Sequence, residues 1–243
     1  EVWEMRSTGE DIFGVANDFS NRYEILIANT EVLRKDVYRL RYKIFCEKLG
    51  YAMDHRDGLE SDEYDRDSLH ILLRERASQE PVGCARLVMP QRAGKIWLPF
   101  DLYGVPHVDR SLFNWNHVNH VRSVEVSRLA LDVPNDHAST AKGISTPFLA
   151  TTLFYAATAI IIHLNVENVF MVIEPSLGRL ISRFGIKLDQ ISPPFEYYGQ
   201  RATFTTTGLR LQAELLLLKT PWQRLYYVIE QQLFAEIANQ QVA

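Results

Sequence analysis

Val37-Tyr38-Arg39-Leu40-Arg41-Tyr42-Lys43-Ile44-Phe45-Cys46-Glu47-Lys48-Leu49-Gly50-Tyr51 is the stretch on which the reading of this chain turns. Val37, Leu40, Ile44 and Phe45 recur at spacings of three, four and one, which makes one apolar stripe, while Arg34, Lys35, Arg39 and Lys43 decorate the other faces. The pattern predicts a helix from Glu31 to about Leu49, capped by Thr30 and closed by Gly50. Immediately before it, Tyr23 to Ala28 alternates between Asn21 and Asn29 and reads as an opening strand. Immediately after it, residues 51–67 hold seven Asp or Glu and little aliphatic content, an acidic loop.

Working outward, Ser68 to Glu75 and Val82 to Met89 are two strands joined by the hairpin connection Arg76 to Pro81. Residues 90–119 lose all period, with Pro99 and Pro106 among His, Asn and Trp, and read as an insertion facing substrate. Val121 to Leu131 is a further strand, Gly143 to Leu164 a helix apolar all round that should pack under a sheet, and Val169 to Ile173 a buried strand. Pro175 opens a helix carried by Leu177, Leu180, Ile181 and Phe184 and stopped by Gly185. Ile186 to Ile191, parts of Phe195 to Tyr198, and Ala202 to Thr207 look like late strands, followed by helices over Leu209 to Leu218 and Trp222 to Ile237. The pattern alone supports one mixed α/β domain over residues 1–243, with 1–20 as an N-terminal extension and 208–243 as a C-terminal helical extension.

Composition narrows the class. Apolar content of 47% and charged content of 23% are globular values in a chain of 243 residues, long enough for a large core. A net charge of -4 argues against a nucleic-acid binder, which shows a basic domain. Cys46 and Cys84 have no pairing or metal spacing and read as small buried hydrophobes. Phe148 to Leu164 falls short of the ~20 apolar residues of a membrane span, and the opening Glu1-Val2-Trp3-Glu4 lacks the pattern of a signal peptide, so the expected setting is cytoplasmic with no membrane span. The acidic loop lacks the spacing and glycine of a calcium-binding loop, and among the histidines only His117 and His120 are three apart, with no third ligand following. No metal is expected.

Four separated motifs carry a resemblance. Arg41 to Phe45 with Tyr51 six residues on resembles the Arg-x3-Phe-x5-Trp start of acyl-homoserine lactone synthases, with Tyr51 where that family has Trp. Glu60 to Asp65 looks like its acidic loop, Gly83-Cys84-Ala85-Arg86-Leu87 its Gly-x-x-Arg-Leu strand, and Glu125-Val126-Ser127-Arg128 its Glu-x-Ser-Arg strand, a match over roughly residues 31–131. The wording Val37 to Tyr42, Glu47 to Tyr51 and Asp57 to Glu60 looks closer still to the exosortase-system-associated acyltransferases, relatives of the long-chain N-acyl amino acid synthases. The resemblance implies a GNAT-like fold, a mixed central sheet flanked by helices with extra C-terminal helices. It also implies an N-acyltransferase that draws a long-chain acyl group, carried on 4'-phosphopantetheine, from acyl carrier protein. The acceptor would be the amine of an amino acid, and no cofactor would be permanently bound. The alternatives are an acyl-homoserine lactone synthase using S-adenosylmethionine, and a catalytically silent protein that binds acyl chains or acyl carrier protein.

Acyl transfer from a thioester to an amine needs a route for the amine's proton, donors for the oxyanion, and an anchor for the phosphopantetheine arm. Glu125 is the candidate base, since a carboxylate in a partly apolar cleft has a raised pKa; its bland alternative is a salt bridge to Arg128 or Arg122. Strand alternation puts Glu125 and Ser127 on one face and Arg128 on the other, where it reads equally as a partner of the acidic loop or as part of the site. The oxyanion donor is expected from a backbone N–H within 128–131. Arg41, Phe45, Tyr51, Asp62, Asp65, Arg86 and Arg128 make the expected substrate site, with Arg41, Asp62 and Asp65 holding the acidic loop over the cleft. Thr140 to Ser145 resembles a degenerate pyrophosphate turn of the GNAT enzymes, with Lys142, Gly143 and Ser145 expected at the single phosphate of the carrier arm, or else it is an ordinary helix cap. Because a GNAT sheet splays between its fourth and fifth strands, the acyl tail is expected to run through that opening, lined by Phe148, Thr152, Ala156 and Phe170.

Overall fold

The computed structural model describes residues 11–89, 98–133 and 145–240. The described chain begins with helix α1 (Asp11–Arg22), inside what the sequence suggested was a bare extension. Strand β1 (Tyr23–Ile27) leads to α2 (Glu31–Arg41), whose first turn is capped by the Thr30 hydroxyl accepting from the Leu33 N–H at 3.3 Å. The helix does not stop at Arg41 but widens: Tyr42–Lys48 is π-helical, with Leu49 N–H bonded to the Ile44 carbonyl, and Gly50 ends it at φ 68°.

Residues 51–67 are ordered by a tight hairpin and a short helix. β2 (His55–Arg56) and β3 (Leu59–Glu60) flank Asp57-Gly58, both at positive φ, the geometry of a type I′ turn that Asp-Gly favours. The single-turn helix Glu63–Asp67 follows, with the Asp62 side chain accepting from the Tyr64 N–H and Asp65 reaching back to the Asp62 N–H.

β4 (Ser68–Glu75), β5 (Pro81–Val88), β6 (Ser123–Leu131), β7 (Asn168–Ile173) and β10 (Gln200–Thr207) continue the sheet from β1, ending at β8 (Asp189–Gln190). β9 (Phe195–Glu196) pairs with β10 across the turn Tyr197-Tyr198-Gly199. Every pairing is antiparallel except β6 with β7, which are joined by the crossover helix α4 (Thr146–His163). That parallel ladder ends at Glu125↔Phe170, although both strands run on. The sheet therefore opens between β6 and β7 just past Glu125.

The two faces follow the period-two alternation. Ile25, Ile71, Leu73, Ala85, Leu87, Val124 and Val126 face α4, while Leu26, Leu72 and Cys84 pack under α2 with Val37 and Leu40. α4 is enclosed by the sheet, by α1 and by the C-terminal helices α6 (Gly208–Leu216) and α7 (Thr220–Gln240), and Phe148 to Ile161 are all buried. This explains its uniformly apolar sequence: it is the one helix among the described residues apolar and long enough to cross a membrane, and it is a core helix. Truncating a side chain such as its Leu153, fully buried, would cost about 2–5 kcal/mol. At the start of α6, a Cβ on Gly208 would lie 2.1 Å from the Val166 carbonyl oxygen, so the close approach of α6 to the turn before β7 requires glycine there.

The remaining short helices between β5 and β6 include α3 (Pro99–Tyr103). These helices and the loop between them carry an aromatic cluster of Phe100, Phe113 and Trp115 against Phe170, which gives the patternless insertion its own small core.

Candidate active site

β6 contains the feature that assembles the site. Cys84 pairs with Ala130 but Arg86 pairs with Ser127, so Arg128 and Leu129 together face Ala85, a β-bulge. Arg128 takes the left-handed conformation, φ 53°, which costs a non-glycine residue about 1–3 kcal/mol. The extra residue resets the alternation. Val124, Val126, Leu129 and Leu131 lie on the α4 side, whereas Glu125, Ser127, Arg128 and Ala130 lie on the α2 side. The sequence expectation that Arg128 points away from Glu125 and Ser127 is therefore corrected: all three line one cavity.

Behind that cavity three arginines and three carboxylates close into a ring. Arg41, fully buried, donates from Nη1 and Nη2 to the two oxygens of Asp65 at 2.7 and 3.0 Å and from Nε to Glu60. Arg86 donates from Nη1 to Asp65 at 2.8 Å and to Asp62 at 2.6 Å. Arg128 donates to Asp62 at 2.9 Å and to Glu60 at 3.1 Å. Each carboxylate thus bridges two guanidiniums and the six formal charges cancel. Burial opposes the charge on Asp65, but Arg41 and Arg86 outweigh it and hold the carboxyl well below its ordinary range. The same balance, burial against Asp65 and Glu60, raises Arg41. His70, buried beside the ring, is pushed down to about 4 by burial and is neutral.

Ser127 accepts from Arg86 Nε at 3.2 Å, which links β6 to the ring. Glu125 stands just outside the ring. It is 4% exposed, accepts the Phe100 N–H at 2.5 Å on Oε2, and is pushed up by burial to about 7 despite Arg86 nearby. A carboxyl poised there is half-ionised at neutral pH, the condition a proton acceptor needs.

The cavity, about 990 Å³, passes through the gap between β6 and β7. On the α2 side it is lined by Glu125, Arg128, the acidic loop and a run of rings: Phe45, Tyr51, Tyr198, Tyr197 and Tyr103, with successive centroids 6.4, 5.2, 5.1 and 4.7 Å apart. On the α4 side it is lined by Leu129, Leu131, Phe154, Ile173, Leu177 and Leu180. Leu177 and Leu180 belong to α5 (Pro175–Arg183).

The residues expected from the sequence thus divide. Arg41, Asp62, Asp65, Arg86 and Arg128 meet in the ring with Ser127 beside it, and Phe45, Tyr51 and Glu125 line the cavity. The four residues expected along an acyl tunnel sit elsewhere. Phe148 packs on Phe19 and Trp222, Thr152 bonds the Leu149 carbonyl, Ala156 is enclosed in the core, and Phe170 stacks on Phe100 at 4.5 Å. Their places on the apolar wall are taken by residues of α5, Phe154 and the end of β6. Ser145 caps α4 through a 3.4 Å bond from the Phe148 N–H; Lys142 and Gly143 lie outside the described residues. Sequence reasoning placed Glu60 in the acidic loop without giving it a part in the site, though the Asp-Gly turn before it was a signal that this carboxylate is fixed in a hairpin. It also passed over Tyr103, Tyr197 and Arg201, which no local pattern marks.

An acetyltransferase (GNAT) domain model matches residues 40–139. The fold is that of the GNAT acyltransferases. Among curated proteins the chain is similar to an acyl-homoserine-lactone synthase of Vibrio anguillarum, 28% identical over 63% of this chain and 73% of the relative. It is likewise similar to a probable acyl-homoserine-lactone synthase of Sinorhizobium fredii, 28% identical over 69% and 76%. Solved structures give the same architecture. TofI, in a complex with an inhibitor and MTA, superposes with a TM-score of 0.59 at 20% identity over 82% of this chain and 99% of that one. FeeM, an N-acyl amino acid synthase from uncultured soil microbes, gives 0.58 at 17% identity over 81% and 96%. In this GNAT scaffold the gap between β6 and β7 is the only break in the described sheet that the cavity threads.

Proposed function

We propose that this chain is an N-acyltransferase that moves a long-chain acyl group from a phosphopantetheine thioester, presented by acyl carrier protein in the cytoplasm, to the α-amine of an amino acid. The observation that carries the reading is the cavity itself, polar with Glu125 on one side of the sheet and apolar on the other. The acyl tail lies among Leu129, Leu131, Phe154 and Leu177, and the amine enters on the α2 side.

Glu125 takes one proton from the acceptor's ammonium group. The neutral nitrogen attacks the thioester carbonyl, the N–C bond forms, and the oxyanion is met by backbone N–H groups of the unpaired β6 edge beyond Glu125. The C–S bond then breaks, the sulfur takes a second proton from the nitrogen while the third stays as the amide N–H, and Glu125 returns its own proton to solvent. The ring of Arg41, Arg86 and Arg128 with Glu60, Asp62 and Asp65 holds β6, the acidic loop and α2 in register for this step. Arg179, Arg183 and Lys187, exposed along and just after α5, give the acidic carrier a basic landing face next to the apolar wall.

The test is a purified transfer assay, with acyl carrier protein charged with C8 to C16 acyl groups, the twenty amino acids, and mass spectrometry of the products. An N-acyl amino acid with release of free carrier thiol is the expected result. A second reading, an acyl-homoserine lactone synthase, is favoured by the two curated relatives. It requires a lactone to form when S-adenosylmethionine is the acceptor and no product with free amino acids. Absence of transfer to every acceptor defeats both.

A further inference from the structure

Of the charged side chains among the described residues that line the cavity, only Arg128 and Arg201 are cationic, against Asp54, Glu60, Asp62, Glu63, Glu125 and Glu174. Such a cavity attracts an ammonium group and repels a carboxylate unless one of the two arginines receives it. Arg128 is committed. Its Nε and Nη2 bind Glu60, 1% exposed, and Asp62, and withdrawing from them would leave a buried carboxylate with half its counter-charge.

Arg201, on β10, is held differently. Its side chain is 14% exposed and donates to Glu174 at 2.8 Å, but that carboxylate is 53% exposed and can be exchanged for another at little cost. Its Nη2 donates to the Tyr51 hydroxyl at 3.3 Å. Tyr51 is in turn wedged between Phe45 and Tyr198, and the Tyr198 hydroxyl donates to the Ala52 carbonyl at 3.3 Å. The guanidinium is therefore sheltered, aimed, and paired with a replaceable partner. The Tyr51 hydroxyl is an acceptor, which a tryptophan at this position would not supply, since indole only donates.

We infer that Arg201, oriented by Tyr51, is the residue that selects the acceptor: its guanidinium takes the α-carboxylate of the incoming amino compound in place of Glu174, leaving the ammonium group on the side of Glu125. This rests on the reading that the acceptor is an α-amino acid, and it applies equally to a free amino acid and to any acceptor that keeps the amino-acid end intact. A planar fork facing a carboxylate gives two parallel charge-assisted bonds, worth roughly 10- to 100-fold in discrimination.

The experiment compares each amino acid substrate with its decarboxylated amine, in transfer and in binding. For the wild type, kcat/KM should favour the amino acid. In Arg201→Met that preference should fall by roughly 10- to 100-fold, the loss residing in KM for the amino acid. Arg201→Lys should keep part of the preference as a point charge without the fork, and Tyr51→Phe should fall between wild type and Arg201→Met. Calorimetry with the N-acyl amino acid and the matching N-acyl amine, both lacking a thioester, reads the same discrimination without turnover. Thermal midpoints of the variants are taken alongside. An unchanged preference in Arg201→Met, a loss carried by kcat, or equal binding of the two products by the wild type overturns the assignment. Absence of all transfer while the wild type still binds the N-acyl amino acid selectively counts against the proposed function and upholds the carboxylate site.

Discussion

The backbone N–H of Phe100 donates to Oε2 of Glu125 at 2.5 Å, so the carboxyl group beside the sheet gap is aimed by the main chain of the helix opposite it. A main-chain donor cannot rotate away, and it leaves the second carboxyl oxygen for the substrate's proton.

Glu125→Gln keeps that hydrogen bond and removes only the exchangeable proton. Turnover should fall by roughly 10²-fold or more with the fold intact, and the inflection near pH 7 in kcat/KM should vanish. The pKa of Glu125 is raised above its ordinary 4.5, so the folded state holds an extra proton between about 4.5 and 7. That contribution to stability is present below this window and is lost as pH rises through 7. Thermal midpoints of Glu125→Gln should accordingly depend less on pH between 5 and 8 than those of the wild type. Near-wild-type turnover by a folded Glu125→Gln would remove Glu125 from the reaction.

Breaking the ring should be a stability defect first. Arg41→Ala leaves Glu60 and Asp65 buried with half their partners gone and should cost about 3–5 kcal/mol in urea unfolding. Arg41→Lys should rescue little, since one ammonium cannot span both carboxylates. Asp65 is held below its usual value, so its contribution is present above pH 4 and is lost as pH falls. Asp65→Asn should flatten the acid limb of the stability curve, and a variant with an unchanged acid limb would mean that the ring does not govern it.

Acyl selectivity should respond to the residues that line the cavity and not to those of the core. Ile173→Phe and Leu177→Trp should shift the preferred donor to shorter chains, with each excluded methylene worth about 0.8 kcal/mol, roughly fourfold in kcat/KM. Ala156→Leu, placed in the enclosed core, should lower the thermal midpoint and leave the chain-length profile alone. Competition among C6 to C16 donors decides it, and equal use of C6 and C16 would mean that the tail does not enter the cavity.

Docking of the carrier should follow charge. Along α2 and the π-helical turn that continues it, exposed cations are paired with carboxylates, Lys35 with Glu31 at 2.7 Å, Arg39 with Asp36 at 3.0 Å and Lys43 with Asp132 at 2.6 Å. Arg179→Glu combined with Arg183→Glu should therefore raise KM for acylated carrier protein and reduce its salt dependence, while KM for a short pantetheine thioester changes little. If only reversals on α2 have this effect, the carrier lands there instead.

Much of the architecture was legible because each long element has one period. The stripe Val37, Leu40, Ile44 and Phe45 announced a helix, and the continuous apolar run in α4 announced a core helix; the GNAT-like sheet flanked by helices is what the structure contains. The π-helical turn Tyr42–Lys48 was not legible, because the apolar stripe that marks α2 runs on into it through Ile44 and Phe45 with no residue that signals the wider turn. The place of Arg128 was misread for a similar reason: alternation holds until a bulge interrupts it, and no glycine marks this one, since an arginine itself occupies φ 53°. Arg201 bonds a residue 150 positions away, a relation only the folded sheet creates.

The closed ring of six charges also limits how this protein can drift. Because every carboxylate is shared by two guanidiniums, altering any one member strands charge on two others, and the balance returns only with a compensating change at a second position. The six positions are therefore coupled as one heritable character, changed with least cost through charge-compensating pairs, while the rings and aliphatic side chains that line the cavity have no such shared partner and can change one at a time.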